Sequence, residues 1–416
     1  MTDTHYDLCM VGPGYIGLPT AALFADNGVK VIGLDVSTRV VEAVNAGRIE
    51  IVEPGLGEIV ERVVASGQLS ATLKPVPANT FLIAVPTPIN HDKQPDLSYI
   101  QAAARAIAPV LRPGNLVVLE STSPVGTTEK LAGWLAAARP DLTFPANTGE
   151  DADIHLAYCP ERILPGKALT ELIENDRIIG GMTTRATELA QKVYGHVVKG
   201  ACIATNAQTA EMCKLVENSS REVAIAFANE LSILCDKLGI NVWDLIALAN
   251  RHPRVNILQP GAGVGGHCIA VDPWFIVSSA PEEAQLIRLA RERNDGKPHW
   301  VTDKVGAAVA GHDKATPRIA CLGVAFKPDI DDLRESPALE IATALAGLHT
   351  DVMVVEPHIS ELPEGLAGRG VILTDLDTAL QDADIIVCLV RHRGFTDLAA
   401  RLEPRHTVID AVGLTN

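Results

Sequence analysis

Short apolar runs, bounded by glycine, proline or polar residues, alternate along the chain with stretches of helical periodicity. The first group of runs is Tyr6–Val11, Val29–Leu34, Thr80–Val85, Leu116–Leu119 and Ile154–Tyr158, and the second is Arg318–Val324, Val352–Val355, Ile385–Val390 and Val408–Ile409. Apolar runs of this kind, alternating with helices, are typical of buried strands in parallel sheets. The pattern therefore predicts two α/β domains, each with its own parallel sheet.

One long helix is predicted between the two groups of strands. From Ala207 to Leu238, apolar residues recur at spacings of three, four and seven, at Cys213, Val216, Val223, Phe227, Leu231, Leu234 and Leu238. This periodicity predicts one buried helix face, and a helix this long and apolar also suits a dimer interface. We place the domain boundaries at residues 1–200, 201–305 and 306–416.

Composition narrows the class of protein. A chain of 416 residues exceeds one ordinary core, and a net charge of −16 argues against binding nucleic acid or anionic membranes through bulk charge. The first seven residues lack a basic segment followed by an apolar core, and no apolar run approaches the ~20 residues that span a bilayer. The eight cysteines form no CxxC pair, and Cys9, Cys321 and Cys388 lie within strand-like runs. We expect a cytoplasmic protein with reduced thiols, these three buried.

A dinucleotide-binding fingerprint follows the first strand. Its residues are Gly12, Gly14, Tyr15, Ile16 and Gly17, and Asp35 ends the second strand 18 residues after the last glycine. Such glycines allow a tight turn and close approach of a pyrophosphate to a helix N-terminus, while the acid accepts hydrogen bonds from a ribose. The motif predicts NAD, since Asp35 would repel the 2′-phosphate of NADP. Arg39 nearby leaves NADP open.

Polar residues follow the later strands of the first group. Thr87 comes after the third strand, Ser121 and Thr122 after the fourth, and Glu161 after the fifth. Ligands of open parallel sheets lie outside the carboxyl ends of the strands. Thr87, Thr122 and Glu161 are therefore expected to face the nicotinamide and the reacting group. The two threonines could instead be ordinary helix N-caps.

The long helix also carries a polar row. Lys214, Asn218 and Arg221 are spaced i, i+4 and i+7, so they share a face. The row suits an oxyanion and phosphates, although a solvated polar face is the alternative. A basic segment, Arg251–Arg254, follows the helical region and could clamp a diphosphate.

The segment from Gly263 to Pro273 places Cys268 in a glycine-rich loop with Asp272 four residues on. Glycine lets backbone and ligand come close together, and a cysteine held there suits attack on a carbonyl carbon. A thiol nucleophile together with a hydride acceptor indicates an oxidation through a covalent sulfur intermediate.

The second group of strands lacks the GxGxxG pattern, so a second dinucleotide is not expected. Lys327 and Arg334 follow its first strand and could hold a smaller nucleotide, or could be surface ion-pair partners. Ser336 is predicted to cap a helix that begins at Pro337.

Together these motifs resemble the UDP-glucose/GDP-mannose dehydrogenase family nearly end to end. The matching segments are GPGYIGLPTA, ESTSPVG, YCPERILPG, AEMCKLVEN, NRHPRVNILQPGAGVGGHCIAVDP and FKPDIDDLRESPA. The resemblance implies an NAD-binding Rossmann domain, a central helical dimerisation domain with the cysteine loop, and a Rossmann-like domain for the UDP-sugar. It implies a four-electron oxidation of the sugar C6 alcohol to a carboxylate with two NAD, and no metal.

The resemblance also implies residue roles. Cys268 would be the nucleophile, Lys214 the general acid/base and, with Asn218, the oxyanion partner. Arg334 would lie near the NAD pyrophosphate. Thr122, Glu161 and Asp272 would complete the catalytic set. The substrate contacts would be Arg162, Ile163, Lys214, Asn218, Arg221, Gly265, Phe326 and Lys327, with His252 and Arg254 reaching the neighbouring site of a homodimer.

One departure bears on the substrate. Members that oxidise UDP-glucose carry a second Glu four residues after the first, where this chain has Pro165. This resembles members that act on N-acetylamino sugars, and leaves Glu161 and Asp272 to activate the hydrolytic water. We expect UDP-N-acetyl-D-mannosamine, leading to a bacterial surface polysaccharide. UDP-N-acetylglucosamine, UDP-glucose, a one-step dehydrogenase without a thioester and a non-catalytic nucleotide sensor remain open.

Overall fold

The computed structural model describes residues 5–51, 53–163, 166–266, 268–349 and 351–416. The chain divides into two compact units. The first comprises Met1–Glu217 and Trp274–Ala280, and the second Asn218–Pro273 and Pro281–Asn416. The three-domain boundaries expected from sequence stay a prediction.

The first unit is built on a large, mostly parallel sheet. Among the described residues its strands are β1 (Tyr6–Val11), β2 (Val31–Leu34), β3 (Leu69–Thr72), β4 (Ala78–Ile83), β5 (Leu116–Leu119), β6 (His155–Tyr158), β7 (Arg177–Gly181) and β8 (Cys202–Asn206). Their order is β3-β2-β1-β4-β5-β6-β7-β8, and of these neighbours β6 and β7 alone run antiparallel. In the register of the centre, Val11 lies beside Leu34 and Ile83.

Helices cover both faces of this sheet. They are α1 (Gly17–Asp26), α2 (Thr38–Asn45), α3 (Leu56–Ala65), α4 (Ser98–Ile107), α5 (Thr127–Ala138), α6 (Pro145–Thr148), α7 (Ala168–Glu174) and α8 (Thr184–Tyr194). Successive strand residues point to opposite faces. Phe81 and Ile83 therefore join the core under α4 and α5, whereas Leu82 joins the core under α1 and α3.

The second unit has a smaller sheet of parallel strands. These are β9 (Ile319–Leu322), β10 (Val352–Val355), β11 (Ile372–Leu373), β12 (Ile385–Cys388) and β13 (Thr407–Asp410), in the order β11-β10-β9-β12-β13. The order reverses between β9 and β12, and ligands of such sheets bind at the carboxyl ends beside this switch point.

Its helices are α10 (Val242–Ala249), α12 (Gln285–Asp295), α13 (Lys297–Ala310), α14 (Pro337–Leu348), α15 (Glu364–Ala367), α16 (Leu376–Asp382) and α17 (Leu398–Arg401). The remaining helices, α9 (Ala207–Leu238) and α11 (Asp272–Ser279), have residues in both units. Ser336 caps α14 as predicted, because its hydroxyl accepts a 3.3 Å hydrogen bond from the backbone N–H of Leu339.

The two parallel sheets confirm the predicted α/β fold class, and α9 occupies the predicted residues. Most predicted strands differ from the structure by one or two residues at one or both ends. Pattern reasoning missed β3, β7, β8 and β11. β3 alternates apolar and polar residues over only four positions, β7 ends in two glycines, polar residues interrupt β8, and β11 has two residues, so none of the four gives a strong strand signal.

The buried face of α9 is not the predicted apolar one. Phe227 is 53% exposed and Leu238 is 68% exposed, while Glu222 and Asn229 are fully buried. The prediction was wrong for the single chain, because periodicity distinguishes the faces of a helix but does not show which face is covered. The exposed apolar residues instead form a row that a second chain could cover.

Candidate active site

The fingerprint turn leaves room for a dinucleotide. A Cβ atom on Gly17 would lie 2.2 Å from the carbonyl oxygen of Gly12, so only glycine fits there. A Cβ atom on Gly14 would meet nothing within 4 Å. Helix α1 starts at Gly17, directly after Tyr15 and Ile16, so its N-terminal N–H groups and dipole favour an anion at this turn. The residues present fit the pyrophosphate of NAD.

Asp35 and Arg39 lie beyond the carboxyl end of β2. Asp35 Oδ1 accepts a 2.8 Å hydrogen bond from the N–H of Ser37, which orients the carboxylate in the turn before α2. Arg39 forms a 2.5 Å ion pair with Glu50 on the surface. Because Glu50 already balances its charge, Arg39 offers little support for a 2′-phosphate, and the arrangement favours NAD.

The loops after β4 and β5 are joined by hydroxyl groups. The Thr87 hydroxyl donates to the Thr122 carbonyl at 2.5 Å, and the Ser121 hydroxyl donates to the Val85 carbonyl at 2.7 Å. Neither threonine caps a helix, because Leu97 precedes α4 and Gly126 precedes α5. Thr87 and Thr122 thus lie together beyond the carboxyl ends of β4 and β5, and their contact with the nicotinamide stays a prediction.

A buried ionic cluster lies beside these loops. Glu161 pairs with Arg177 at 2.9 Å, and Tyr194 donates a 2.5 Å hydrogen bond to Glu120. Burial, with the nearby charge of Glu161, raises the pKa of Glu120 to about 7. Sequence reasoning missed Glu120, Arg177 and Tyr194. The available signal was a charged residue at the end of a buried strand, at Glu120 after β5 and at Arg177 in β7.

The contacts of Glu161 restrict what it can do. One carboxylate oxygen accepts from Arg177 and the other accepts a 2.6 Å hydrogen bond from the N–H of Arg162. Arg162 is itself held by a 2.7 Å ion pair with Glu217. Ile163 is half-buried beside it, and Pro165 lies outside the described residues.

Lys214 is half-buried near the start of α9, and the preceding turn of that helix is anchored. The carboxylate of Glu211 accepts hydrogen bonds of 2.6 Å from the Gly126 N–H, and 2.8 and 2.6 Å from the N–H and hydroxyl of Thr128. Glu211 therefore caps α5, where its negative charge meets the positive end of the dipole. This anchor fixes the backbone one turn before Lys214.

In the second unit, Cys268, Asp272 and Asn218 come together around one turn. The Cys268 carbonyl accepts a 2.9 Å hydrogen bond from the Asp272 N–H, at the start of α11. The Asn218 side chain donates a 2.5 Å hydrogen bond to the Asp272 carboxylate, which is 4% exposed. Cys268 itself is exposed, as a nucleophile requires.

The glycine-rich loop packs against the loop after β9. A Cβ atom on Gly265 would lie 2.4 Å from the Glu335 carbonyl oxygen and 2.9 Å from Phe326 Cβ, so this close approach requires glycine. Lys327, next to Phe326, is exposed. Arg334 pairs with Asp332 at 2.6 Å, which agrees with the ion-pair alternative for that residue.

Arg221, His252 and Arg254 are exposed in the second unit. His252 Nδ1 accepts a 3.3 Å hydrogen bond from the Arg254 N–H, which links the two residues. Their exposure leaves them accessible to a ligand or to another chain.

The cysteines within the two sheets' cores are poor nucleophiles. Cys9, Cys159 and Cys321 are buried, and burial raises the pKa of each thiol to about 12. Cys9, Cys321 and Cys388 are all 0% exposed, which confirms the expectation that these three cysteines are buried.

Across the described ranges, no helix has the length and apolar character needed to cross a membrane.

Comparison with known proteins places the chain in a family. Sequence models of the UDP-glucose/GDP-mannose dehydrogenase family match it over residues 6–198 (NAD binding domain), 208–296 (central domain) and 320–416 (UDP binding domain). The chain belongs to this family. It is an NAD-dependent nucleotide-sugar dehydrogenase, so the family and the cofactor expected from its motifs are confirmed.

Individual relatives share nearly the full length. UDP-N-acetyl-D-mannosamine dehydrogenase from Salmonella typhi is 57% identical over 98% of each chain. NDP-N-acetyl-D-galactosaminuronic acid dehydrogenase from Ralstonia nicotianae is 59% identical over 98% of this chain and 96% of the relative. The structure of UDP-D-ManNAc dehydrogenase from Pyrococcus horikoshii superposes with a TM-score of 0.85 at 37% identity, covering 99% of this chain and 96% of that one.

Proposed function

We propose that the protein oxidises the C6 alcohol of UDP-N-acetyl-D-mannosamine to the carboxylate of UDP-N-acetyl-D-mannosaminuronate, through a thioester on Cys268. The observation that carries the chemistry is the exposed Cys268 held in one turn with Asp272 and Asn218. The UDP-N-acetyl-D-mannosamine dehydrogenase that is 57% identical over nearly the full length supports the substrate. The fingerprint turn would hold NAD, which would supply the hydride acceptor for each of the two two-electron oxidations.

The chain's own residues handle the protons and the carbonyl. After the alcohol becomes an aldehyde, Cys268 Sγ adds to its carbonyl carbon, and Lys214 with Asn218 stabilises the developing oxyanion. The resulting thiohemiacetal carries a hydroxyl and a hydrogen on one tetrahedral carbon, as the alcohol did, so a second hydride and the hydroxyl proton can leave and a thioester remains. Water then attacks the acyl carbon, the C–S bond breaks, and the thiol is restored. Removing one oxyanion donor typically costs ~3–4 kcal/mol of transition-state stabilisation.

Asp272 is the better candidate for activating the hydrolytic water. Its backbone N–H donates to the carbonyl of Cys268, the residue that would carry the acyl group, so Asp272 lies within one turn of that cysteine. Both carboxylates already accept hydrogen bonds, Asp272 from Asn218 and Glu161 from Arg177 and the Arg162 N–H, so this proximity decides between them. We assign Glu161 to fixing the backbone of Arg162, with Thr122 beside the reacting carbon.

The remaining residues are assigned to recognition. Thr87, Asp35 and the fingerprint would bind NAD, and Arg334 would approach its pyrophosphate. The UDP-sugar would be held by Arg162, Ile163, Arg221, Gly265, Phe326 and Lys327, with His252 and Arg254 supplied to the neighbouring site of a homodimer. A reducing, cytoplasmic compartment suits the thiol nucleophile, and the aminouronate product suits synthesis of a bacterial surface polysaccharide.

The identity of the sugar is open to a direct test. A relative named for N-acetyl-D-galactosaminuronic acid is 59% identical, so that sugar is a second candidate. Limiting UDP-N-acetylmannosamine, UDP-N-acetylgalactosamine, UDP-N-acetylglucosamine and UDP-glucose would each be incubated with excess NAD, and NADH counted at completion. We expect two NADH per UDP-N-acetylmannosamine and little turnover of the others. Two NADH from another sugar would keep the mechanism and change the substrate, whereas one NADH would contradict the thioester route.

The thiol role is tested by Cys268→Ser. A serine hydroxyl is a far weaker nucleophile than a thiolate at neutral pH, so formation of the acid should fall by at least about a thousandfold. Cys202→Ser, at a half-buried cysteine of β8, is the matched control and should keep wild-type turnover. Acid formation by Cys268→Ser at the wild-type rate would rule out the covalent scheme.

A further inference from the structure

A buried carboxylate ties together three loops at the carboxyl edge of the second sheet. Glu356 directly follows β10 and is 4% exposed. Its Oε2 accepts hydrogen bonds from the N–H groups of Val324 at 2.8 Å and Ala325 at 3.1 Å, in the loop after β9. Its Oε1 accepts one from the N–H of His358 at 3.2 Å, in the loop after β10.

His392 connects the third loop, which follows β12. Its side chain is 0% exposed, and its Nε2 lies 3.0 Å from Glu356 Oε2. Its Nδ1 lies 3.0 Å from the backbone nitrogen of Asp329. A backbone N–H can only donate, so Nδ1 accepts the hydrogen bond from Asp329. The ring proton is then on Nε2, which donates a hydrogen bond to Glu356. Burial alone would raise the pKa of Glu356, but hydrogen bonds from His392 and the two backbone N–H groups hold it below its usual value.

These contacts clamp a short segment at both ends. Phe326 and Lys327 lie between Ala325, which is bonded to Glu356, and Asp329, which is bonded to His392. Asp329 has a φ of +60°, a strained conformation for a residue other than glycine, which persists only where the surroundings enforce it. Arg393 adds to that restraint, because its N–H and Nε donate to the Asp329 carboxylate at 3.0 and 2.9 Å.

We propose that Glu356 and His392 are positioning residues that hold the Phe326–Lys327 segment in the shape that binds the UDP portion of the substrate. The inference rests on the proposed role of Phe326 and Lys327. The clamp lies at the carboxyl ends of β9, β10 and β12, beside the point where the strand order reverses. A segment already ordered before the nucleotide arrives does not lose that conformational freedom on binding, so affinity is higher.

A cation site is the competing interpretation of the same side chains. Single ligand atoms of Asp329, His358 and His392 lie within 4.8 Å of one another. Nδ1 of His392, however, already accepts the Asp329 N–H, so a metal would have to displace that hydrogen bond. The two interpretations differ over His358, because the clamp uses its backbone N–H and a metal would need its ring.

The experiment measures UDP affinity by isothermal titration calorimetry for the wild type and three variants. His392→Gln keeps a donor toward Glu356 but loses the acceptor for Asp329, and UDP should bind about tenfold more weakly, the order expected for one lost buried hydrogen bond. His392→Asn loses the donor toward Glu356 but keeps an acceptor where Nδ1 lies, so the Asp329 end of the segment stays bound and affinity should fall by less than about threefold. His358→Ala keeps the backbone N–H and should bind as the wild type does.

Steady-state kinetics distinguish a loss of substrate positioning from a general loss of the folded active enzyme. For His392→Gln, KM for the UDP-sugar should rise about tenfold while kcat stays within about threefold, since Cys268 and Lys214 are untouched. Equal UDP affinity in His392→Gln and the wild type would overturn the proposal. So would Zn²⁺ binding to the wild type that is lost in His358→Ala. Failure of the wild type to bind UDP would instead undo the proposed function itself.

Should His392→Gln not fold, hydrogen exchange on the wild type decides the matter. The clamp predicts that the amides of Val324, Ala325 and Asp329 exchange slowly both with and without UDP. Rapid exchange of these amides without UDP, slowed when UDP is added, would show that the nucleotide orders the segment and would overturn the proposal.

Discussion

Among single residues, the two carboxylates beside Arg177 differ in environment. Glu120 is 2% exposed and Glu161 is 6% exposed. A buried charge is costly unless it is paired, and Glu161 has the direct ion pair with Arg177. Glu120 has the neutral hydroxyl of Tyr194 instead. Burial and the charge of Glu161 therefore favour the protonated form of Glu120, with a pKa of about 7.

Glu120 should make the stability of the protein fall as pH rises. Its folded pKa of about 7 exceeds the unfolded value of ~4.3, so its stabilising contribution is fully present below the unfolded pKa and is lost as pH rises through about 7. At ~1.4 kcal/mol per pKa unit, the loss between pH 4 and 8 is on the order of 3 kcal/mol. Glu120→Gln cannot titrate and should flatten this dependence, measured as the urea unfolding midpoint by circular dichroism.

The matched control is Glu61→Gln, at an exposed acid of α3, which should follow the wild-type pH dependence. Identical slopes for Glu120→Gln and the wild type would mean that Glu120 is ionised in the folded protein at neutral pH.

At the scale of an element, the buried face of α9 carries a polar ladder, a chain of hydrogen-bonded polar side chains. Glu222 pairs with Arg291 at 2.7 Å and accepts a 2.8 Å hydrogen bond from Asn294. Asn294 in turn accepts a 2.8 Å bond from Asn229, whose own oxygen accepts the Gly261 N–H at 2.8 Å. The ladder thus joins α9 to α12 and to the chain that leads into the cysteine loop.

Asn229→Ala should be strongly destabilising. It leaves the Gly261 N–H and the Asn294 side-chain oxygen without Asn229, and each unsatisfied buried group costs ~1–3 kcal/mol, so we expect a loss of about 2–6 kcal/mol in the free energy of unfolding. Ser220→Ala, at an exposed position of the same helix, should change it by less than about 0.5 kcal/mol. Urea unfolding of both variants checks this, and a loss below about 1 kcal/mol would show that water replaces the amide.

The ladder shows why periodicity placed α9 but not its buried face. A helix is recognised from apolar residues spaced three and four apart, and this spacing can be read directly from the sequence. Burial of Glu222 and Asn229 depends on partners such as Arg291 and Asn294, which lie on another helix. Seen along the sequence, the face of α9 that carries Glu222 and Asn229 resembles a solvated face. The opposite, apolar row was therefore predicted to be the buried one.

For the whole molecule, the same distinction separates the predictable from the missed. The fingerprint, the Cys268–Asp272 turn and the Ser336 cap each lie within a few residues, so local sequence identified them. The Glu120–Tyr194 contact spans 74 residues and the Glu356–His392 contact spans 36. Both form only after the fold brings distant segments of the chain together, which no local pattern records.

The exposed row on α9 bears on assembly. Phe227, Leu234 and Leu238 are 53, 46 and 68% exposed, and their spacing of seven and four puts them on one face. Stable monomers rarely leave such a continuous apolar surface uncovered, and a homodimer with two-fold symmetry buries the same patch of each chain. Phe227→Asp would bury a charge in that interface, so we expect a shift from dimer to monomer in size-exclusion chromatography with light scattering.

Leu348→Asp is the matched control, since Leu348 on α14 is 68% exposed but lies outside the row, and it should leave the dimer intact. If His252 and Arg254 serve the neighbouring site, the Phe227→Asp monomer should also lose activity, and activity should return where high protein concentration restores the dimer. A monomeric wild type would contradict the prediction that a second chain covers the exposed row on α9. A fully active monomer would show that His252 and Arg254 do not contribute to the neighbouring site. They could then act only in the site of their own chain, because no partner is present.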